Sequence, residues 1–443
     1  MATTDPAEKP VEALYPRLTG GPSRLLPEDV ARHQRERLES AMVEVVARHG
    51  FAGTTMRELV TLAGVSKSTF YEHFANKEEC FLATYDSLTA GMAARIRDAH
   101  DPAGGVEAAA ASALAELMDI VLSEPRVASF VTVDALTLGG AGVAHRERAW
   151  SAFERMAWRS FGIAAAPSEA AGTAARAVIA GLGGVVYRHL RSDRAEELPG
   201  AVDALVEWAL SYRAPDGEPV RRAIGVASMP NPVPPASAED EKPGWEEPPD
   251  SVLSRAQLGQ RERIVRAAGR VAVERGYSAL SIPAISAAAG TSNQTFYEHF
   301  ASKRDAFLAA YESTAGDALE VGFAAFRATD GGPEAIGAGM RALTEHIASH
   351  PIFARLAFFE LAAAGPAALD RADATLDALI AFLEPGERAP SGLGGSAPRV
   401  VLEAAAAGIW SVIQCEVVHE RAAALPAKAP ELTRLALAPL SAF

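Results

Sequence analysis

The sequence predicts an all-α protein made of one helical unit used twice, and three observations predict it. The string Thr-Phe-Tyr-Glu-His-Phe-Ala stands at residues 69–75 and again at 295–301, 226 residues later, and Gly50/Gly276, Gly64/Gly290, Lys77/Lys303 and Tyr85/Tyr311 keep that separation. Residues 35–85 and 261–311 are identical at 21 of 51 positions, so a domain-sized segment is repeated without a gap. Apolar residues recur at helical spacing through both copies, Ala, Leu, Glu and Arg dominate, and β-branched runs are scarce. At 443 residues and 49% hydrophobic content the chain can bury two or more cores.

Composition narrows the function classes. The two cysteines, Cys80 and Cys415, show no paired spacing, which argues against a disulfide framework or a zinc site and fits a reducing, cytoplasmic setting. The start carries no basic-then-apolar signal pattern, and no run of about 18 apolar residues is free of charge, so neither export nor membrane spanning is expected. A net charge of -14 disfavours indiscriminate coating of nucleic acid, yet leaves room for a small cationic surface on an acidic body. His145, His189, His346, His350 and His419 lack metal-ligand spacing, no cofactor motif occurs, and no nucleophile is paired with a base, so no metal, cofactor or enzymatic activity is expected.

Residues 1–27 hold five prolines and Gly20-Gly21 and read as a flexible leader. From Glu28 the apolar positions Val30, Leu38, Met42, Val45 and Val46 predict a first helix, ended near Gly50 by a residue suited to positive φ. Thr54 or Thr55 can cap a second helix, with Glu58 completing a capping box from Thr55, and Met56, Leu59, Val60 and Ala63 facing inward. Gly64-Val65 makes a tight turn, Ser66 caps, and residues 67–74 form a short third helix. Two short helices joined through Ala-Gly-Val-Ser are the helix-turn-helix pattern.

These residues, with Thr69, Phe70, Tyr71, Phe74, Lys77 and Phe81 at fixed offsets, resemble the DNA-binding head of the tetracycline-repressor (TetR) family of bacterial regulators. Gly276, Ser281, Ala289, Gly290, Ser292, Thr295, Phe296, Tyr297, Phe300, Lys303 and Phe307 carry the same resemblance in the second copy. It implies that each head is followed by a helical body that encloses an effector and whose last two helices form a dimer interface. Those helices are expected at about 168–190 and 198–212, and at about 399–419 and 430–440. The expected organisation is leader 1–27, first head 28–85, first body 86–213, linker 214–253, second head 254–311 and second body 312–443. The linker holds nine of the chain's 28 prolines, mixed with Glu239, Asp240, Glu241, Glu246 and Glu247, and reads as an extended tether.

On the third helix Phe70 and Phe74, four apart, should point into the head, leaving Lys67, Ser68, Thr69, Tyr71 and His73 toward solvent. A helix lying in the major groove reads bases with the residues at its start, which makes Lys67 and Ser68 the base-reading candidates, with Thr69 able to pack on a thymine methyl. Asn293, Gln294 and Thr295 are the counterparts. Lysine suits guanine acceptors whereas Asn and Gln suit adenine, so the two heads are expected to read different half-sites. The resemblance implies phosphate contacts from Thr55, Tyr71, His73 and Lys77, and from Ser281, Tyr297, His299 and Lys303. For an effector site the candidates are Phe130, Phe153, Trp158 and Tyr187 in the first body and Phe358, Phe359, Trp410 and Gln414 in the second, against the plainer alternative that such residues are core.

The expectation is therefore a ligand-responsive repressor acting on a double-stranded DNA operator with an unidentified small-molecule effector. Two assemblies stay open, a monomeric pseudo-dimer and a homodimer of chains. The alternative function is a helical small-molecule- or partner-binding protein in which one or both heads no longer bind DNA.

Overall fold

A computed structural model describes residues 26–100, 104–138, 142–143, 145–150, 153–154, 169–212, 259–329, 332–383 and 397–442. All regular elements among these residues are helical. Residues 1–25 of the expected leader, the whole of the expected linker 214–253, and Trp158 lie outside them. The chain divides into two compact units, Met1–Met156 with Gly183–Val206, and Ala157–Leu182 with Glu207–Phe443. The division does not follow the copies, since residues 169–182 and 207–212 of copy one group with copy two.

In the first unit, α1 (Pro27–Gly53) starts with Pro27, whose missing N–H costs nothing in a first turn, and buries Leu38, Met42, Val45 and Val46. Its backbone kinks at Gly50, where φ is 65°. The next helix, α2 (Met56–Ala63), is opened by the anticipated capping box, in which the Thr55 side chain accepts from the Glu58 N–H and Glu58 reaches back to the Thr55 N–H. Gly64 closes it at φ 61°, ψ 36°, a left-handed conformation that any Cβ would strain. Ser66 caps α3 (Lys67–His73) by accepting the Thr69 N–H at 3.0 Å, and Asn76 caps α4 (Lys77–Ala99) by accepting from Glu79 at 2.8 Å.

The head's core consists of Leu38, Leu59, Phe70 and Phe81, all fully buried. It continues into body one through α5 (Gly105–Ser123) and α6 (Pro125–Thr132), because the Phe81 ring stacks on Phe130 at 4.2 Å. A 3-10 turn (Asp134–Leu138) follows.

The second unit repeats the head. It consists of α9 (Gln260–Arg275), α10 (Ile282–Ala289), α11 (Asn293–His299) and α12 (Lys303–Arg327), capped by Ser281, Ser292 and Ser302. Pro283 occupies the first turn of α10, where it is harmless, and Gly290 repeats the left-handed turn at φ 63°. Body two adds α13 (Gly332–Ser349), α14 (Pro351–Arg355), a π-helical turn (Leu356–Glu360), a 3-10 turn (Leu361–Ala364), α15 (Pro366–Leu383), α16 (Arg399–Val418) and α17 (Leu425–Ala442).

The last helix starts at Leu425, five residues before the expected Pro430, since Pro426 sits in the first turn and needs no intrahelical N–H there. Helix α16 is long and apolar enough to cross a membrane, yet 89% of its most apolar stretch is packed inside the fold. Its two buried carboxylates are paired, Glu403 with Arg399 and Glu416 with Arg421.

The terminal helices of copy one, α7 (Glu169–Arg191) and α8 (Val202–Leu210), reach the same core. Trp208, fully buried, donates its indole N–H to the Tyr212 hydroxyl at 3.0 Å, and that hydroxyl donates to the Leu435 carbonyl of α17 at 2.9 Å. The buried Trp208 N–H and Tyr212 hydroxyl are thereby both satisfied. A Cβ at Gly408 of α16 would come within 2.6 Å of the Ala177 carbonyl oxygen of α7, and one at Gly181 within 2.5 Å of the Ala404 carbonyl oxygen. Two backbones therefore cross at a separation only glycine allows, with each helix supplying one glycine.

Candidate nucleic-acid interface

The exposed face of each third helix is set by what its partner face buries. Phe70 is 0% and Phe74 2% exposed, and an arginine from the first helix lies over the second ring, Arg35 at 4.8 Å from Phe74 and Arg261 at 5.1 Å from Phe300. With one side of the helix sealed, Lys67, Ser68 and Tyr71 stand in solvent, as do Asn293, Gln294 and Tyr297. Tyr71 is 52% and Tyr297 60% exposed, high values for rings that pack nothing else on their outer side. Each ring's position is fixed from below by an edge contact with the preceding phenylalanine, at 5.5 Å in copy one and 5.7 Å in copy two.

Thr69 and Thr295 are half-buried, with hydroxyls 2.9 and 3.0 Å from the capping Ser66 and Ser292 hydroxyls. The Ser68 hydroxyl also approaches Ser66, at 2.6 Å, and the Lys67 ammonium lies 5.9 Å from the Tyr71 ring centre. His73 is half-buried with its Nε2 3.4 Å from the Gln34 amide oxygen, whereas His299 is exposed. The Thr55 hydroxyl is fully used by its capping box, donating to Glu58 at 2.8 Å, and that bond holds the Glu58 carboxyl below its ordinary range. At the second copy's equivalent of Glu58 stands Ala284, so the Ser281 hydroxyl only accepts, at 3.4 Å.

Lys77 and Lys303 take positions that residue type alone did not reveal. The Lys77 ammonium donates to the Phe51 carbonyl at 3.1 Å and the Thr54 carbonyl at 3.0 Å, and lies 4.6 Å from the centre of the Phe51 ring. Lys303 does the same with Tyr277, Ser278 and Leu280, its shortest bond being 2.8 Å to Leu280, and sits 5.0 Å from the Tyr277 ring. In both heads the lysine closes the loop between the first and second helices.

Of the effector candidates, Phe358, Trp410 and Gln414 come together. The Phe358 and Trp410 rings lie 4.4 Å apart, and the buried Gln414 amide donates to the Phe358 carbonyl at 2.9 Å. Phe359 packs instead under the Arg355 guanidinium at 5.3 Å, and Tyr187 under Arg191 at 5.6 Å. Phe130 stacks in the core of the first unit, and Phe153 packs partly buried against the same core. Among the described residues no group of three His, Cys, Asp or Glu side chains could hold a metal ion. Cys80 and Cys415 are both buried, and burial pushes the Cys80 thiol up to about 12.

Residues that sequence inspection missed include Glu360, whose carboxylate accepts the Tyr277 N–H at 2.8 Å, and the pair Glu44–Arg126 between α1 and α6. No local spacing marks either. Asn76 and Ser302 could have been found, since each has an acidic residue three positions on.

Residues 40–84 and 264–310 each match the bacterial regulatory proteins of the tetR family. A curated relative, the uncharacterized HTH-type transcriptional regulator YerO of Bacillus subtilis (strain 168), is 38% identical over 50 residues. That match covers 11% of this chain and 17% of the relative, so the chain spans about a sixth of the relative's length. Among solved structures, the transcriptional regulator FadR of Bacillus subtilis, crystallised in complex with stearoyl-CoA, is 14% identical with a TM-score of 0.36, covering 40% of this chain and 99% of that one. A transcriptional regulator from Rhodococcus sp. Rha1 is 23% identical with a TM-score of 0.35, covering 41% and 99%.

Proposed function

We propose that this chain, a member of the tetR family of bacterial regulatory proteins with two heads in tandem, is a sequence-specific DNA-binding repressor whose two units act as an intramolecular pseudo-dimer. The observation that carries this reading is the pair of third helices. Their framework is the same in both copies (capping serine, left-handed glycine, buried phenylalanine pair), and their solvent-facing starts differ, Lys67-Ser68 against Asn293-Gln294. A helix held by such a framework and exposed at its N-terminal end can enter a major groove.

The pseudo-dimer reading is supported by the packing of α7 and α8 on α16 and α17 within one compact unit. A protein with this arrangement needs no second chain to present two heads, and successive major grooves lie about 34 to 36 Å apart. Tyr71, Tyr297, His299 and Ser281 are assigned phosphate contacts, with Thr55 and His73 beside them. Lys77 keeps one of its three N–H donors for a phosphate while holding its two carbonyls, and Lys303 divides its donors among three carbonyls. The paired Phe358, Trp410 and Gln414 are assigned to an effector site in body two.

Selection of binding sites from random DNA tests the central claim. The expected product is an imperfect inverted repeat, with guanine favoured where Lys67 reads and adenine where Asn293 and Gln294 read. Asn293→Lys should move the second half-site toward the first. Recovery of a perfect palindrome by the unaltered chain would refute unequal heads, and recovery of no sequence would refute DNA recognition. Light scattering at the mass of one chain is expected, and a mass near twice 46.4 kDa would favour a dimer of chains.

A further inference from the structure

In the second head one residue of the loop after α9, Tyr277, is gripped on both sides of its peptide unit. The Tyr277 N–H donates to Glu360 Oε2 at 2.8 Å, and the Tyr277 carbonyl accepts from Lys303 Nζ at 3.4 Å. Tyr277 follows Gly276, which ends α9, and Lys303 opens α12 directly after the recognition helix and its cap. Glu360 comes from the body. It is 7% exposed and closes the π-helical turn Leu356–Glu360. Such single π-helical turns are rare and are frequent at functional sites. Here two residues of α16 contact the turn, Gln414 through the Phe358 carbonyl and Trp410 against the Phe358 ring. A continuous set of contacts thus runs from α16, through the π turn and Glu360, to the loop that seats the second head's reading helix.

Among the described residues the first copy lacks this arrangement. The position matching Glu360 is Asp134, one methylene shorter, and its hydrogen bond goes to Ser129 within body one. Head one is tied to its body by the Glu44–Arg126 pair instead, and the matching positions in copy two are Arg270 and Ile352. Arg270 donates to the Ala288 carbonyl inside its own head.

We propose that Glu360 is a positioning residue that locks head two to body two through the Tyr277 backbone, and that head one has no such lock among the described residues. Rearrangement at Trp410 and Gln414 then reaches one head rather than both. The lock stands apart from any DNA role, while its consequence for operator binding rests on the function proposed above.

Hydrogen exchange of the full chain, followed by mass spectrometry, tests it. Glu360→Ala should speed exchange over residues 276–281 by about tenfold, the loss expected for a hydrogen bond to a charged acceptor. Residues 50–55 of head one should not change. Glu360→Gln, whose amide oxygen still accepts, should restore most of the protection, a rescue that a space-filling role would not give selectively at Tyr277. Glu360→Asp keeps the charge if the alanine variant unfolds, and should raise exchange by less. Gln414→Leu, at the far end of the π turn, should raise exchange in the same segment. Unchanged exchange in Glu360→Ala would overturn the lock, as would an equal rise throughout α9–α12 without rescue by glutamine. A response to Glu360→Ala but none to Gln414→Leu would overturn the connection to α16. Altered exchange with unaltered DNA binding would leave the lock standing and overturn its consequence for operator binding.

Discussion

Gly408→Ala isolates the helix crossing on which the pseudo-dimer reading depends. A Cβ at this position would stand 2.6 Å from the Ala177 carbonyl oxygen and 3.2 Å from two further backbone atoms, and backbone cannot swing aside as a side chain can. Restoring an ordinary contact of about 3.4 to 4 Å requires α7 and α16 to part by about 1 Å, enough to forfeit a quarter to a half of the dispersion attraction along the seam. Overpacking of this kind costs about 1–3 kcal/mol. Removing glycine from a helix interior returns about 0.5–1 kcal/mol, so the net loss should lie between about 0 and 2.5 kcal/mol. In a domain of this size that lowers the unfolding midpoint by a few degrees, at about 2–4 °C per kcal/mol.

The internal control is Gly91→Ala in α4 or Gly316→Ala in α12, where an added Cβ meets nothing within 4 Å. Those changes should raise the midpoint. Gly181→Ala, which faces the Ala404 carbonyl and the Trp208 ring, should behave like Gly408→Ala. The double change should deviate from additivity, since both glycines serve one crossing. Scanning calorimetry of the four variants decides the matter. A stabilised Gly408→Ala, matching the controls, would refute the close approach and withdraw support from the intramolecular interface.

Two other outcomes follow from single side chains. Changing Lys77 and Lys303 together to methionine should weaken binding to every DNA sequence by loosening the loops they close, while the slope of log affinity against log salt stays as it was. A slope shallower by about 0.9 per lysine would instead place both ammoniums on phosphates. Burial raises the Asp134 carboxyl to about 7, with Ser129 pulling the other way. A carboxyl raised in the folded state favours folding while protonated. Its contribution is whole below the unfolded value near 4 and is lost as pH climbs through about 7. Asp134→Asn should flatten the fall in stability between pH 4 and 7, measured by urea unfolding, and an unaltered profile would contradict the shift.

What could be read in advance was whatever the chain settles over three or four residues. The Thr55–Glu58 box, the Ser66 cap, the turn at Gly64 and the inward pair Phe70 and Phe74 are all set within one helical turn, and each is found where spacing puts it. The duplication then carried those features to copy two. Contacts closed over long loops were not legible. Tyr212 meets Leu435 across 223 residues and Tyr277 meets Glu360 across 83, and neither partner's identity names the other. The resemblance implies a phosphate contact for Lys77, and the carbonyls that hold its ammonium in the fold lie 23 and 26 residues away. Pro430 was read as a helix boundary because proline usually stops a helix, while the packing of Leu432, Leu435 and Ala436 carries α17 straight through it.

The two ways of fastening a head have unequal sensitivity to the medium. Glu44 and Arg126 attract across a partly wetted gap, the arginine side chain being 36% exposed, and mobile ions at about 0.1 M screen such charges over a Debye length of about 10 Å. Glu360, 7% exposed, grips a neutral peptide N–H, and mobile ions screen a contact so covered much less. Ionic strength therefore acts on the fastening of one head more than on that of the other, and a chain built by duplication answers a change of salt as two different parts.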